Sequence, residues 1–133
     1  MDLTFFTPYM LSLLRIMVGL LFLSHGTAKV LGFPKWDERP AVLSIYWVAG
    51  LFELVLGTFL TIGLFSRQAA FVASGVAAFA YFIGHARKSF YPFLNGGEAA
   101  VLFCFVFLYL VFSGPGPISV DALIGLFSSS TTQ

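Results

Sequence analysis

Apolar residues fall in four long blocks along the chain, separated by short polar clusters rich in Gly and Pro. Residues 68–86 and 99–120 contain no Asp, Glu, Lys or Arg, and thirteen uncharged residues separate Glu53 from Arg39 on one side and from Arg67 on the other. A helix needs about 20 mostly apolar residues to cross roughly 30 Å of hydrocarbon. The blocks therefore predict membrane-spanning helices at about 5–28, 41–64, 68–86 and 98–112. A membrane strand would alternate polar and apolar positions over about ten residues. The run Val101-Leu102-Phe103-Cys104-Phe105-Val106-Phe107-Leu108 does not alternate. The expected fold is all-α: one domain, a transmembrane four-helix bundle of up-down topology.

The connectors fit that reading. Residues 32–40, with Pro34 and Pro40, form a first polar loop. Gly63 is placed to end the second helix and Ser66 to cap the third. Residues 87–97 form the third connector, and Asn95-Gly96-Gly97-Glu98 has the spacing of a capping box for the fourth helix. Ser113-Gly114-Pro115-Gly116-Pro117 stops that helix. A short amphipathic helix is expected from Asp121 to Phe127, capped by Ser119, with a frayed Ser/Thr tail after it. The first block begins with Asp2 and is too long for a signal-peptide core, so it reads as a retained helix.

Composition narrows the class. Of 133 residues, 59% are hydrophobic and 10% charged, where a soluble domain carries about 25% charged residues. Seven Lys+Arg against six Asp+Glu leave a net charge of +1. Disorder is excluded by hydrophobicity, and nucleic-acid binding by the lack of a basic surface. So few charges cannot cover a water-soluble globule, so membrane lipid is the expected surrounding. Lys29, Lys35, Arg39, Arg87 and Lys88 fall in or beside loops 1 and 3, and only Arg67 lies on the opposite side. The positive-inside bias predicts a multi-pass protein of the plasma (inner) membrane, with loops 1 and 3 cytoplasmic and both termini outside.

The polar residues inside the spans carry the candidate chemistry. Arg15 and Glu53 each lie near the middle of a predicted span, where a charge costs about 2.5–3.5 kcal/mol on insertion scales. They are expected to pair, either to fix the packing of helices 1 and 2 or to act as a proton-relay or ligand-orienting pair. Arg15, Gly19, Phe22, Gly26 and Lys29 share one face of helix 1. His25, Lys29, His85 and Glu98 should gather at the loop 1/loop 3 face. Together they would open a polar funnel down to Arg15 and Glu53, lined by Tyr46, Trp47, Tyr81 and Phe90.

Each member has a plainer alternative. The imidazoles can be interfacial, Glu98 a helix-start charge, Lys29 a snorkelling side chain, and Trp36 and Trp47 interface anchors. Haem held between His25 and His85 would be shallow, and zinc lacks a third and fourth ligand at a recognisable spacing, so no metal is assigned. Arg67 and Asp121 are expected to form a structural pair. Helix 3 is rich in Ala, Ser and Gly, which makes it the expected packed centre. Gly19, Gly50 and Gly57 thin helices 1 and 2. The Phe-rich helix 4 should face lipid or a second copy in a homodimer. Cys104 reads as a small apolar filler.

These residues have a recognisable order. Arg15-x-x-x-Gly19-x-x-Phe22-x-x-His25-Gly26-x-x-Lys29 is followed by Gly32-Phe33, Glu53-x-x-x-Gly57 and Gly63-Leu64-Phe65-Ser66-Arg67-x-Ala69-Ala70. Asn95-Gly96-Gly97-Glu98 and Gly114-Pro115-Gly116-x-x-Ser119-x-Asp121 come later. The sequence resembles the DoxX family of small bacterial four-helix membrane proteins. That resemblance implies a membrane subunit linked to sulfur oxidation and quinone reduction, with relatives tied to thiosulfate:quinone oxidoreductases and redox-stress complexes. It marks Arg15, His25, Lys29, Glu53, Arg67, Glu98 and Asp121 as motif positions, and most family members have no assigned reaction.

The leading expectation is a membrane redox subunit that binds quinone, or a similar amphipathic small molecule, at an aromatic pocket with convergent polar groups. His25, His85 or Glu98 would deliver protons. The chain has no Cys pair and no flavin fingerprint, so electrons are expected from the quinone, a soluble or membrane oxidoreductase partner, or a haem. The rival readings are a non-catalytic anchor for a soluble oxidoreductase and a small-molecule or proton transporter gated at Arg15 and Glu53.

Overall fold

Each apolar block becomes a helix. The computed structural model describes residues 1–130, with side chains to 125, and no strand occurs among the described residues. A 3-10 turn, Thr4–Phe6, leads into α1 (Thr7–Val30). Then come α2 (Ile45–Ile62), α3 (Ser66–Ala80), a single turn α4 (Pro92–Asn95), α5 (Glu98–Ser113) and α6 (Val120–Ser130). A π-helical turn, Tyr81–His85, extends α3. Thr4–Val30, Ile45–Ile62 and Ser66–His85 are long and apolar enough to cross a membrane. The fourth apolar helix, Glu98–Ser113, has 16 residues, about 24 Å of rise. The short C-terminal helix begins at Val120 and its first turn is capped by Ser119, whose Oγ accepts from the Ala122 N–H at 3.1 Å. The expected frayed tail falls on the last turn of α6 and on residues 131–133, which lie outside the described residues.

The closest helix approach is between α1 and α2, and glycine makes it. A Cβ on Gly57 would stand 2.6 Å from the Leu23 backbone nitrogen, and one on Gly26 would overlap the backbone of Leu54. Gly19 meets the Thr61 backbone in the same way, and Gly50 meets the Lys29 side chain. The four contacts run in opposite directions along the two helices, so α1 and α2 are antiparallel. Lipid gives no hydrophobic drive for helix association, so such backbone contact is the source of cohesion. The second pair is α3 with α5, also antiparallel: Arg67 reaches Val111 and Phe112, while Ser74 reaches Cys104. α3 touches both α2 and α5 and is the most buried of the three long helices, as its small residues predict, while the closest seam is α1–α2.

The core lies between the pairs. Phe22, Leu56, Leu60, Ala69, Ala70, Ala73, Phe107 and Leu110 form one buried cluster. Alanines on α3 make room for rings from α1 and α5. Phe22 meets Phe107 edge-on at 4.9 Å between centroids, and Phe103 stacks on Phe107. The other side of α5, with Leu102, Phe105, Tyr109 and Phe112, is exposed.

Candidate functional site

Arginine guanidinium groups at helix ends account for three of the chain's charges. The last carbonyls of a helix have no partner inside it, and a cation there also suits the helix dipole. Arg15 is fully buried and donates to the Leu60 and Thr61 carbonyls at 2.6 and 3.0 Å, in the last turn of α2. Its other N–H groups bond the Pro115 carbonyl at 2.8 Å and the Ile118 carbonyl. Ser12, also buried, accepts from the Ile118 N–H at 3.1 Å. Arg39 bonds the Lys29 and Val30 carbonyls at the end of α1. Arg67 bonds the Val111 and Phe112 carbonyls at 2.6 and 2.8 Å, in the last turn of α5.

Two expected pairs are therefore corrected. Arg15 does not meet Glu53. Gly26 lies against Glu53 and Leu54, and Arg15 is eleven residues earlier, about 16 Å along the axis. The physical reason is an offset: α1 and its leading turn cover 27 residues against 18 in α2. The midpoint of the longer block therefore falls level with the end of the shorter one. Arg67 does not meet Asp121 either, because the carboxylate is committed elsewhere. Its two oxygens accept from the Phe65 and Ser66 N–H groups, each at 2.8 Å. Asp121, not Ser66, thus caps α3, from 55 residues away, and the Ser66 hydroxyl is buried without a partner. The Gly63 end of α2 is as expected: φ is +75° and its N–H bonds the Phe59 carbonyl.

With the arginines placed, the partner of Glu53 is Lys29. Nζ stands 2.6 Å from Oε1, the ion pair found among the described residues. Lys29 is on the same face of α1 as Arg15, one turn past Gly26, so the signal for this pairing was the glycine stripe and not the block midpoint. Glu53 is 4% exposed, and its second oxygen, Oε2, is buried with no partner. Glu53 is one of the residues that line a cavity of about 170 Å³, together with Phe22, His25, Lys29, His85 and Phe103. His85 Nδ1 is also buried and without a partner. The His25 ring is held edge-on against Phe103, 5.8 Å between centroids. Of the residues expected in a funnel, His25, Lys29, Glu53 and His85 line this cavity, and Arg15 and Glu98 do not. His85 stands at the end of the π turn, a feature that often marks functional sites and that no pattern in the sequence announces.

The remaining predicted residues divide. Tyr46 lines an adjoining space of about 510 Å³ together with His25, Lys29, Trp36, Glu38 and His85. Tyr81 is buried in a clamp on loop 3: its hydroxyl donates to the Phe90 carbonyl and accepts from Asn95 Nδ2. The Asn95 side chain also bonds the Ser89 carbonyl and the Gly97 N–H, each at 2.7 Å. Asn95 thus folds its own loop, and no side chain caps α5, so the expected capping box is not formed. Glu98 is exposed at the first turn of α5, and Phe90 is exposed outside the cavities. Trp47 lines none of these spaces, and its buried Nε1 has no partner.

A family model described as DoxX matches residues 10–86, which include both halves of the Lys29–Glu53 pair and His85. A Haemophilus influenzae protein, described only as an uncharacterized protein, is 45% identical over 122 residues, covering 87% of this chain and 91% of its own. No solved structure matches.

Proposed function

This chain belongs to the DoxX family, and from that membership and the chemistry of the cavity we propose an integral membrane redox subunit that binds quinone or a similar amphipathic ring compound. The observation that carries this reading is the buried Lys29–Glu53 pair, which lines a cavity together with two imidazoles and leaves Oε2 without a protein partner. An apolar cavity of about 150 Å³ takes up benzene, so about 170 Å³ suits one six-membered ring. Lys29 neutralises Glu53 at Oε1 and leaves Oε2 free to accept from a ring hydroxyl. The other N–H groups of Lys29 and the free Nδ1 of His85 are available to a ring oxygen. Quinone reduction takes two electrons and two protons. The imidazole nitrogens of His25 and His85 can accept and donate the protons, and the electrons come from a partner oxidoreductase.

The charge bias extends the proposal to topology. Loops 1 and 3 face the cytoplasm, α5 is the fourth span, and the cavity opens toward the cytoplasmic leaflet. The test is quinone extracted from the purified chain. The control is the double variant Lys29→Met/Glu53→Gln, which removes both charges together and so leaves no orphaned ion. Quinone is expected with the wild type and not with the variant at equal folded yield. No quinone in the wild type, or equal amounts in both, contradicts the proposal.

A further inference from the structure

The polar cavity does not end at the imidazoles. His25, Lys29, Ala80 and His85 also wall the adjoining space of about 510 Å³. On the far side of that space, Ile45, Ala49 and Phe79 also wall a third one, an apolar groove of about 680 Å³. These shared walls join the three in series: from Glu53 to the loop 1/loop 3 end of α2 and α3, and from there back along the outer side of both helices to Phe52 and Phe71. The last is open to the surface, since Ile45, Phe52, Phe71 and Phe79 on its walls are all exposed.

The groove exists because α2 and α3 part where α1 and α2 close. A Cβ on Gly75 would meet nothing within 4 Å, while one on Gly57 would stand 2.6 Å from backbone. The one hydroxyl on the groove wall, Ser74, is committed to the Cys104 carbonyl at 2.8 Å. The groove is therefore an apolar slot, joined to the ring-sized cavity through the space that Trp36, Glu38, Tyr46 and Lys88 also wall.

We infer that the ligand is long-tailed: its ring lies against Glu53 and its hydrocarbon tail leaves between α2 and α3 along the Gly75 groove. This rests on the ring site proposed above and deepens it. The ligand then enters sideways from the bilayer and not through the loops, where Arg39 ties loop 1 to the end of α1. Lipid already solvates a tail, so the groove adds little raw affinity. What it fixes is direction, and direction is the quantity to measure.

The full chain in liposomes is incubated with a benzoquinone carrying a decyl tail that ends in a diazirine, then illuminated and digested. Crosslinks are expected in peptides containing residues 45–52 and 71–79. They should be removed by an excess of the same benzoquinone with a methyl group in place of the tail. They should be lost in Gly75→Trp, which fills the slot, and kept in Gly75→Ala. The wild-type map decides by itself if Gly75→Trp folds poorly. Competitor-sensitive crosslinks on α1 or loop 1 overturn the groove and leave the ring site standing. Groove crosslinks that the competitor does not remove reflect bulk lipid and also overturn the inference. No competitor-sensitive crosslink anywhere overturns the ring site and the groove with it.

Discussion

Arg15 shows how a residue can be conspicuous in a sequence and structural in a fold. Its guanidinium spreads several donors over four carbonyls from two segments, geometry that one ammonium cannot reproduce. Hydrogen bonds from charged groups are worth roughly 1.5–3 kcal/mol each. Arg15→Met and Arg15→Lys should therefore both lower thermal stability by at least about 3 kcal/mol, read as a fall in melting temperature in detergent, without altering the Glu53 site. Asp121 is the matching anion. Burial alone would raise its pKa, but hydrogen bonds from Ser66 and Phe65 and the nearby Arg15 charge outweigh it and hold the carboxyl below its ordinary value. A lowered folded pKa means the stabilisation is whole above the unfolded value and is lost as pH falls through the folded one. Acid unfolding of the wild type should therefore include this loss. Asp121→Ala should cost about 1 kcal/mol at neutral pH, as other lost caps do, and should flatten the acid limb of a stability–pH curve. A variant as acid-sensitive as the wild type would contradict that cap.

The helices at the four apolar blocks were legible because lipid demands a long apolar run, although only three of them, Thr4–Val30, Ile45–Ile62 and Ser66–His85, are long enough to cross a membrane. Depth was less legible. Arg15 and Glu53 each stand at the middle of a block, yet two helices of unequal length need not be level, and only the contact register settles the offset. The stripe Gly19–Phe22–Gly26–Lys29 held that register in plain view. The π turn at Tyr81–His85 and the capping of α3 by a residue far along the chain had no local signal at all. Gly26 is the most exacting point of the α1–α2 seam. Gly26→Val forces backbone apart and should cost about 1–3 kcal/mol. Gly75→Ala adds its methyl to open space on a helix and should be neutral, or stabilising by up to about 1 kcal/mol. Equal effects at the two positions would mean that the two seams are packed alike.

At the scale of the molecule, the charges that bond across helices or their ends fall into two groups. Arg15, Arg39, Arg67 and Asp121 close helix ends and serve the fold. Lys29 and Glu53 close nothing: they meet at a cavity wall, leave one oxygen free, and stand beside two imidazoles. A buried ion pair is weak evidence for stability, since apolar groups of similar size often do as well, so its placement at a cavity points to ligand chemistry. The most direct measurement is an experimental density map of the purified wild-type chain. A planar, ring-shaped density within hydrogen-bonding distance of Glu53 Oε2 and His85 Nδ1 is the result this account predicts. A collapsed cavity, with Oε2 bonded to a protein group, would contradict it.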